Sequence, residues 1–166
     1  MREPIRDKGR LEHILTAIDD ITAFASGKSV EDIDNNRMLF FAIVKNIEII
    51  GEAAFRLTKS FCKLHPDTPW DSIIKMRHVL VHDYYQIKSK EVWKVINDDL
   101  QPLRTQIEEY INHFNWQDWE NNEQAIAESA VHKNLIQTAK KMLARGYEIQ
   151  EIVEITGLSQ QEISEL

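Results

Sequence analysis

Apolar residues recur every three or four positions through long stretches of this chain, and only five glycines and four prolines in 166 residues interrupt them. That spacing is the signature of helices with one face turned to a core, and it leaves little room for strands. Leu11, Leu15, Ile18 and Ile21 to Phe24 form a stripe that ends at Gly27, which predicts a helix over about residues 7–25. Phe40, Ile43, Val44, Ile47, Ile50, Ala54 and Leu57 predict a longer one over about 35–61, stopped by Pro66 and Pro69, with Gly51 as a point of close packing rather than a break. A third is expected to start with Asp71 as N-cap, carry Ile73, Ile74, Met76, Val79 and Leu80 toward the core, and end near His82 to Tyr85. A fourth, over about 89–114, presents Val92, Trp93, Ile96, Leu100, Leu103, Ile107, Tyr110 and Ile111, with a kink at Pro102. Four such stripes on short connectors imply an all-α antiparallel bundle occupying residues 1–115.

Residues 116–166 follow a different design. After Trp116-Gln117-Asp118-Trp119-Glu120 the pattern predicts a helix over about 123–145 stopped by Gly146, then Glu148 to Thr156, then Gly157-Leu158-Ser159 leading into a last short helix. The arrangement resembles a small helix-turn-helix, similar to the carboxyl ends of some bacterial nuclease and transposase-like families. Its final helix carries Glu162 and Glu165, which suits a protein contact better than a place among phosphates.

Net charge is −7, of which residues 1–115 carry −2 (16 Lys and Arg against 18 Asp and Glu) and residues 116–166 carry −5 (4 against 9). This balance excludes a protein coated for non-specific nucleic-acid binding, which draws its affinity from lysines and arginines. It leaves space for a focused site, because Lys75, Arg77, Lys88 and Lys90 face only Asp83 within residues 75–90. No apolar run is long enough to cross a bilayer, and the charged start Met1-Arg2-Glu3-Pro4-Ile5-Arg6-Asp7 lacks the apolar stretch of a signal peptide, so a cytoplasmic protein with no membrane partner is expected. The single cysteine, Cys62, has no second thiol with which to build a disulfide, redox pair or zinc knuckle.

The segment Arg77-His78-Val79-Leu80-Val81-His82-Asp83-Tyr84-Tyr85 concentrates the side chains suited to chemistry on a phosphodiester. Arginine holds phosphate with a planar fork of donors, and histidine exchanges protons near neutrality. On a regular helix Arg77 and Tyr84, seven apart, nearly share a face, whereas Arg77 and His82, five apart, do not. The two converge on one phosphate only if the helix ends before His82, or if two chains place their segments side by side, so a two-fold dimer is expected.

The run Ile49-Ile50-Gly51-Glu52-Ala53-Ala54, the pair Pro69-Trp70, the pattern Met76-Arg77, four residues, His82-Asp83-Tyr84, and then Val92-Trp93 closely resemble the HepT-like family of HEPN-domain ribonuclease toxins over about residues 5–112. The resemblance implies a HEPN-type bundle that dimerises around the motif and metal-independent cleavage of RNA without a cofactor. It also implies pairing with a minimal nucleotidyltransferase antitoxin and modification of the motif tyrosine, here Tyr84, with AMP. The family motif falls on Arg77 and His82, expected as catalytic residues, and on Tyr84, expected to position phosphate; Lys75, His78 and Asp83, beside these positions, are expected in support. The usual family pattern does not include the tail beyond about residue 116.

Each residue also has a plainer role open to it. Arg77 can pair with Glu48 or Glu52 on the preceding long helix, and His78 can be structural. His78, His82 and Asp83 offer a zinc-ligand spacing, which the positive charge of Arg77 opposes. His13, His65, His113 and His132 stand outside any constellation and read as surface or capping residues; Trp70 and Trp93 read as core, and Trp116 and Trp119 as anchors for the tail. Two function classes remain: an endoribonuclease toxin, or a non-catalytic helical module that binds a nucleotide or is modified by a partner nucleotidyltransferase.

Overall fold

The computed structural model describes residues 7–82 and 87–166 and, within them, every side chain except those of His82, Glu123, Gln124 and Ala127. The fold is all-α, and the described residues include no strand. In chain order the helices are α1 (Asp7–Ala25), α2 (Val30–Asn35), α3 (Arg37–Phe55), α4 (Lys59–Leu64), α5 (Trp70–His82), α6 (Ser89–Lys94), a π-helical turn (Val95–Asp99), α7 (Leu100–His113), α8 (Trp116–Leu143), α9 (Ile149–Thr156) and α10 (Gln160–Ser164). The chain divides into two compact units, Met1–Trp116 and Gln117–Leu166.

In the first unit α3 packs against both α1 and α5, and α1 packs also against α7. The expected stripes supply most of the core: Leu11, Ile18 and Ile21 of α1, Ile43, Val44, Ile47, Ile50 and Ala54 of α3, and Leu100, Leu103 and Ile107 of α7 are buried, α1 adds Ile14, which was not expected, and Phe24 is exposed. Each large side chain removed from water in this way contributes roughly 1.5–3 kcal/mol relative to its exposure. Phe61 of α4, fully buried, is the centre of an aromatic cluster. Its ring stacks on Trp116 at 5.5 Å and lies 4.4 Å from the ring of His65 and 5.9 Å from that of Tyr110. Trp70, which is buried, donates from its indole nitrogen to the His65 carbonyl.

Three features of the first unit differ from the expected ones. The long second helix is not one element over 35–61: α3 stops at Phe55, and α4 starts afresh with Thr58 as its N-cap. The cause is a long-range contact, since buried Asp7 accepts from the Thr58 backbone N–H at 2.8 Å and from its hydroxyl at 2.7 Å. The short α2 was not expected; Ser29 and Asp32 close it with a reciprocal capping box. Asp71 is not an N-cap, because α5 opens at Trp70 and the Pro69 carbonyl accepts from Ser72 and Ile73; Asp71 lies in the first turn, where its charge complements the helix dipole.

A π-helical turn lies between α6 and α7, just ahead of Pro102, which falls in the first turn of α7. In the π turn Leu100 N–H bonds Val95 O, five residues back, and Pro102, which has no N–H to offer, follows it where the first helical turn needs none. In the second unit, Ala139 of α8, Ile152 of α9, Leu158 and Ile163 of α10 form a separate core. Gly157 ends α9 at φ 70°, a left-handed conformation that suits glycine, and Ser159 caps α10 with Glu162 in return. The tail helices therefore fall where the glycines and the serine place them, except that α8 begins at Trp116 rather than near 123.

Candidate functional site

Arg77 belongs to α5 on the side that meets α3, and the approach is close because residue 51 is glycine. A Cβ placed on Gly51 would run into the Cβ of Arg77 and sit 3.2 Å from the Ile73 carbonyl oxygen. The expectation of a packing point at Gly51 is thereby borne out, with Arg77 as the group that needs the space.

The guanidinium is held from α3. Its Nε lies 2.7 Å from Glu52 Oε2, with both side chains about one-third exposed (33% and 34%), and its Cζ lies over the Phe55 ring at 5.5 Å from the centroid. Glu52 also accepts a hydrogen bond from Arg56 Nε at 2.6 Å through its other oxygen, Oε1. The two contacts differ in kind, because Oε2 is buried without an aligned hydrogen bond and so meets Arg77 as a charge contact. The Arg56 hydrogen bond, and after it the charges of Arg77, Arg56 and Arg10, hold the Glu52 carboxyl below the usual carboxylate range against an opposing effect of burial. At this exposure the pair contributes no more than about 1 kcal/mol to stability, so its value is orientation. The charge contact is made at Nε. The donors on Nη1 and Nη2 have no protein partner among the described residues.

These side chains form one wall of a groove of about 290 Å³. Arg10 and His13 line it from α1, Lys45, Glu48, Ile49, Glu52, Ala53 and Arg56 from α3, and Arg77 and Val81 from α5. Lys45 pairs with Glu48 at 2.7 Å. Among the described residues, four basic side chains and two carboxylates line this groove, although the whole chain is acidic.

The residues expected at the site are placed as follows. Arg77 is in the groove and is paired with Glu52, one of the two partners named for its plainer role. Lys75 and His78 are exposed on α5. The α5 backbone remains helical through His82, so the helix does not end short of it, and this removes one of the two routes by which Arg77 and His82 could meet. The His82 side chain, Asp83 and Tyr84 lie outside the described residues.

His13 does not stand apart as expected: it is exposed, but on the groove. Arg10, Lys45 and Arg56 were likewise not singled out by the sequence. Their signal was present in the spacing 45, 48, 52, 56 on α3 and 10, 13 on α1, which puts each set on one helical face. His65 is the C-cap residue of α4 but not a surface group; its ring lies 4.0 Å from that of Tyr110, Nε2 is buried without a hydrogen-bond partner, and burial lowers its pKa.

Comparison with known proteins bears on the same residues. Residues 14–110 match a family described as Ribonuclease HepT-like, and residues 132–166 match one described as the C-terminal HTH domain of the Rpn/YhgA-like nuclease family. A protein of Thermococcus cleftensis named "Probable ribonuclease HepT" is 34% identical over 101 residues, which are 61% of this chain and 92% of its own length. One of Caldanaerobacter subterraneus subsp. tengcongensis, named "Putative RNase TTE0752", is 35% identical over 101 residues, 61% of this chain and 90% of its own length. A third, "Putative RNase MJ1216" of Methanocaldococcus jannaschii, is 29% identical over 116 residues, 69% of this chain and 96% of its own length. No solved structure matches.

Proposed function

The chain belongs to the ribonuclease HepT-like family, and on that ground we propose that it is a metal-independent endoribonuclease, the toxin of a type II or type VII-like toxin–antitoxin pair. The observation that carries this reading is the placement of Arg77: its Nε is held by Glu52 on a groove that other basic side chains also line, while its terminal donors have no protein partner among the described residues. Such a guanidinium is oriented for a phosphate before the phosphate arrives.

RNA supplies its own nucleophile. In this reading a His82 takes the proton of the 2′-hydroxyl, the 2′-oxygen attacks the adjacent phosphorus, and the bond from phosphorus to the 5′-oxygen breaks as a second His82 gives that oxygen a proton. Arg77 neutralises the charge gathered on the non-bridging oxygens in the transition state. The products are a 2′,3′-cyclic phosphate and a 5′-hydroxyl. Two histidines in opposite roles call for a homodimer, which also lets an arginine and a histidine set apart on one helix meet across two chains. Exposed Ile49, Phe55 and Val81 beside Arg77 (38%, 59% and 42% exposed) support an apolar seam there.

Tyr84 positions the phosphate and accepts AMP from ATP on its phenolic oxygen, with release of pyrophosphate, by the action of a minimal nucleotidyltransferase antitoxin. The added phosphate would repel RNA. Lys75, His78 and Asp83 support the site from the same segment, and residues 116–166 form a helical extension that contacts protein rather than DNA.

Incubation with total cellular RNA in EDTA, beside His82→Ala, followed by end-group analysis, tests this. Cleavage by the unsubstituted protein alone, leaving cyclic phosphate and 5′-hydroxyl ends, is expected. No cleavage by a dimeric preparation that mass spectrometry shows to lack AMP on Tyr84 would replace it with the reading of a non-catalytic module that the nucleotidyltransferase binds or modifies.

A further inference from the structure

Within the first unit α3 packs against α5 and α1 against α7, but among the described residues no comparable packing joins α5 to α7. The two are tied at one end, where the hydroxyl of Thr68, just ahead of α5, donates to Gln106 Oε1 of α7 at 3.0 Å. The space between them is a cleft of about 390 Å³, a size that suits a small ligand. Its lining is apolar at depth: Ile47 and Ile50 of α3 and Leu100 and Leu103 of α7 are buried, and Ile73 and Met76 of α5 are half-buried beside them. The rim is polar. Asp98 and Asp99 stand there, exposed and adjacent, and neither has an ion-pair partner among the described residues. Both belong to the π turn, a form that is rare in helices and frequent at functional sites.

We propose that this cleft binds a small organic cation: an aromatic or branched aliphatic body on a short chain that ends in an ammonium group. The body covers the apolar floor, and the ammonium meets the two carboxylates of the rim. The same carboxylates repel a phosphate or a carboxylate, so the cleft does not belong to the path of an RNA strand, and its depth is too apolar for a bare metal ion. None of its lining side chains belongs to the Arg77 groove, so the inference stands apart from the ribonuclease reading.

The test titrates the full chain with phenylbutylammonium, phenylbutanol and phenylbutanoate, which share one apolar body and differ in the head group, and follows the backbone amides by NMR. Asp98→Asn combined with Asp99→Asn removes the rim charges and keeps their shape. Asp20→Asn, on the exposed side of α1 and away from the cleft, makes the same kind of change elsewhere. Ser72→Trp, at the exposed rim of α5, blocks the mouth and leaves the buried floor as it is. Circular dichroism confirms the fold of each.

Saturable shifts confined to residues 47–50, 72–76 and 95–103 are expected, with the ammonium bound roughly tenfold more tightly than the carboxylate and the alcohol between them. The double exchange at the rim should bring the three affinities within about twofold of one another, Asp20→Asn should leave their order unchanged, and Ser72→Trp should abolish the shifts. No saturable shift with any probe, equal affinity for ammonium and carboxylate, or a preference that survives the double exchange would overturn the site. So would sedimentation of Ser72→Trp as a smaller species than the unsubstituted protein, since the cleft would then be covered by a second copy of the chain.

Discussion

Replacing Gly51 with alanine sets two effects of known sign against each other. Within a helix the change alone favours folding by up to about 1 kcal/mol, because glycine is the poorer helix former. Here the new methyl group would overlap the Arg77 Cβ and press on the Ile73 carbonyl oxygen at 3.2 Å and the Arg77 Cα at 3.3 Å. None of these atoms is the far end of a flexible side chain, so α5 must move bodily away from α3. Overpacking of this kind costs about 1–3 kcal/mol. Less the full propensity gain, the net expectation is a loss of up to roughly 2 kcal/mol, which at an m-value of about 2 kcal/mol/M lowers the urea midpoint by up to roughly 1 M. Urea unfolding followed by circular dichroism measures it. A midpoint that rises would refute the close approach of α3 and α5 at Arg77, since the propensity gain would then stand unopposed.

Other consequences are checked as directly. Glu52→Gln keeps the shape of the side chain that holds Arg77 but removes its charge; kcat on RNA should fall roughly ten- to a hundredfold from a misplaced guanidinium, while binding of an uncleavable oligonucleotide should tighten because the groove loses an anion. Asp7→Ala removes both acceptors of Thr58 and should cost about 2–3 kcal/mol in chemical denaturation, more than an exposed cap, since the group is buried and links α1 to α4. Burial lowers the pKa of His65, so its contribution is fully present above about pH 6.5, where the ring is neutral folded and unfolded, and is lost as pH falls below that toward the folded-state value. Thermal melts of the unsubstituted protein and of His65→Phe at pH 7.5 and 5.5 should show a smaller acid loss in the variant, and equal losses would exclude the histidine as a source. Under the proposed homodimer, Val81→Glu, which puts a charge on the exposed apolar surface beside Arg77, should shift sedimentation toward monomer and reduce cleavage with it.

The parts of the fold that could be read from the chain are those encoded by neighbours in sequence. The stripe Leu11 to Phe24 and the glycine after it set α1, and Gly146, Gly157 and Ser159 punctuate α8 to α10, because a helical period and a cap need only a few adjacent residues. The break between Phe55 and Thr58 could not be read in this way. The apolar stripe runs through it in phase, to Leu57 and Phe61, and what interrupts the helix is Asp7, distant in sequence, bonding the backbone and hydroxyl of Thr58. The candidate site divides along the same line. Arg77 was legible from residue type and Glu52 from the helix opposite, whereas Arg10, His13, Lys45 and Arg56 are ordinary polar surface residues until α1, α3 and α5 pack and bring their faces to one groove.

The hold on Arg77 shows how few positions such packing needs. Gly51 lets α5 approach until the Arg77 Cβ fills the place of a missing methyl group; the next residue, Glu52, then meets Nε, and Phe55, one turn on, lies beneath the guanidinium plane. Three residues within one turn and a half of α3 thus set the depth, direction and tilt of one arginine. An arginine free to search its rotamers would lose about 2 kcal/mol of side-chain entropy on gripping a phosphate, whereas this one is ordered largely at folding. The requirement falls on α3 rather than on the segment that carries the arginine. A substitution at residue 51 or 52 should therefore impair catalysis as selectively as one near residue 77, although neither α3 residue need touch the strand that is cut.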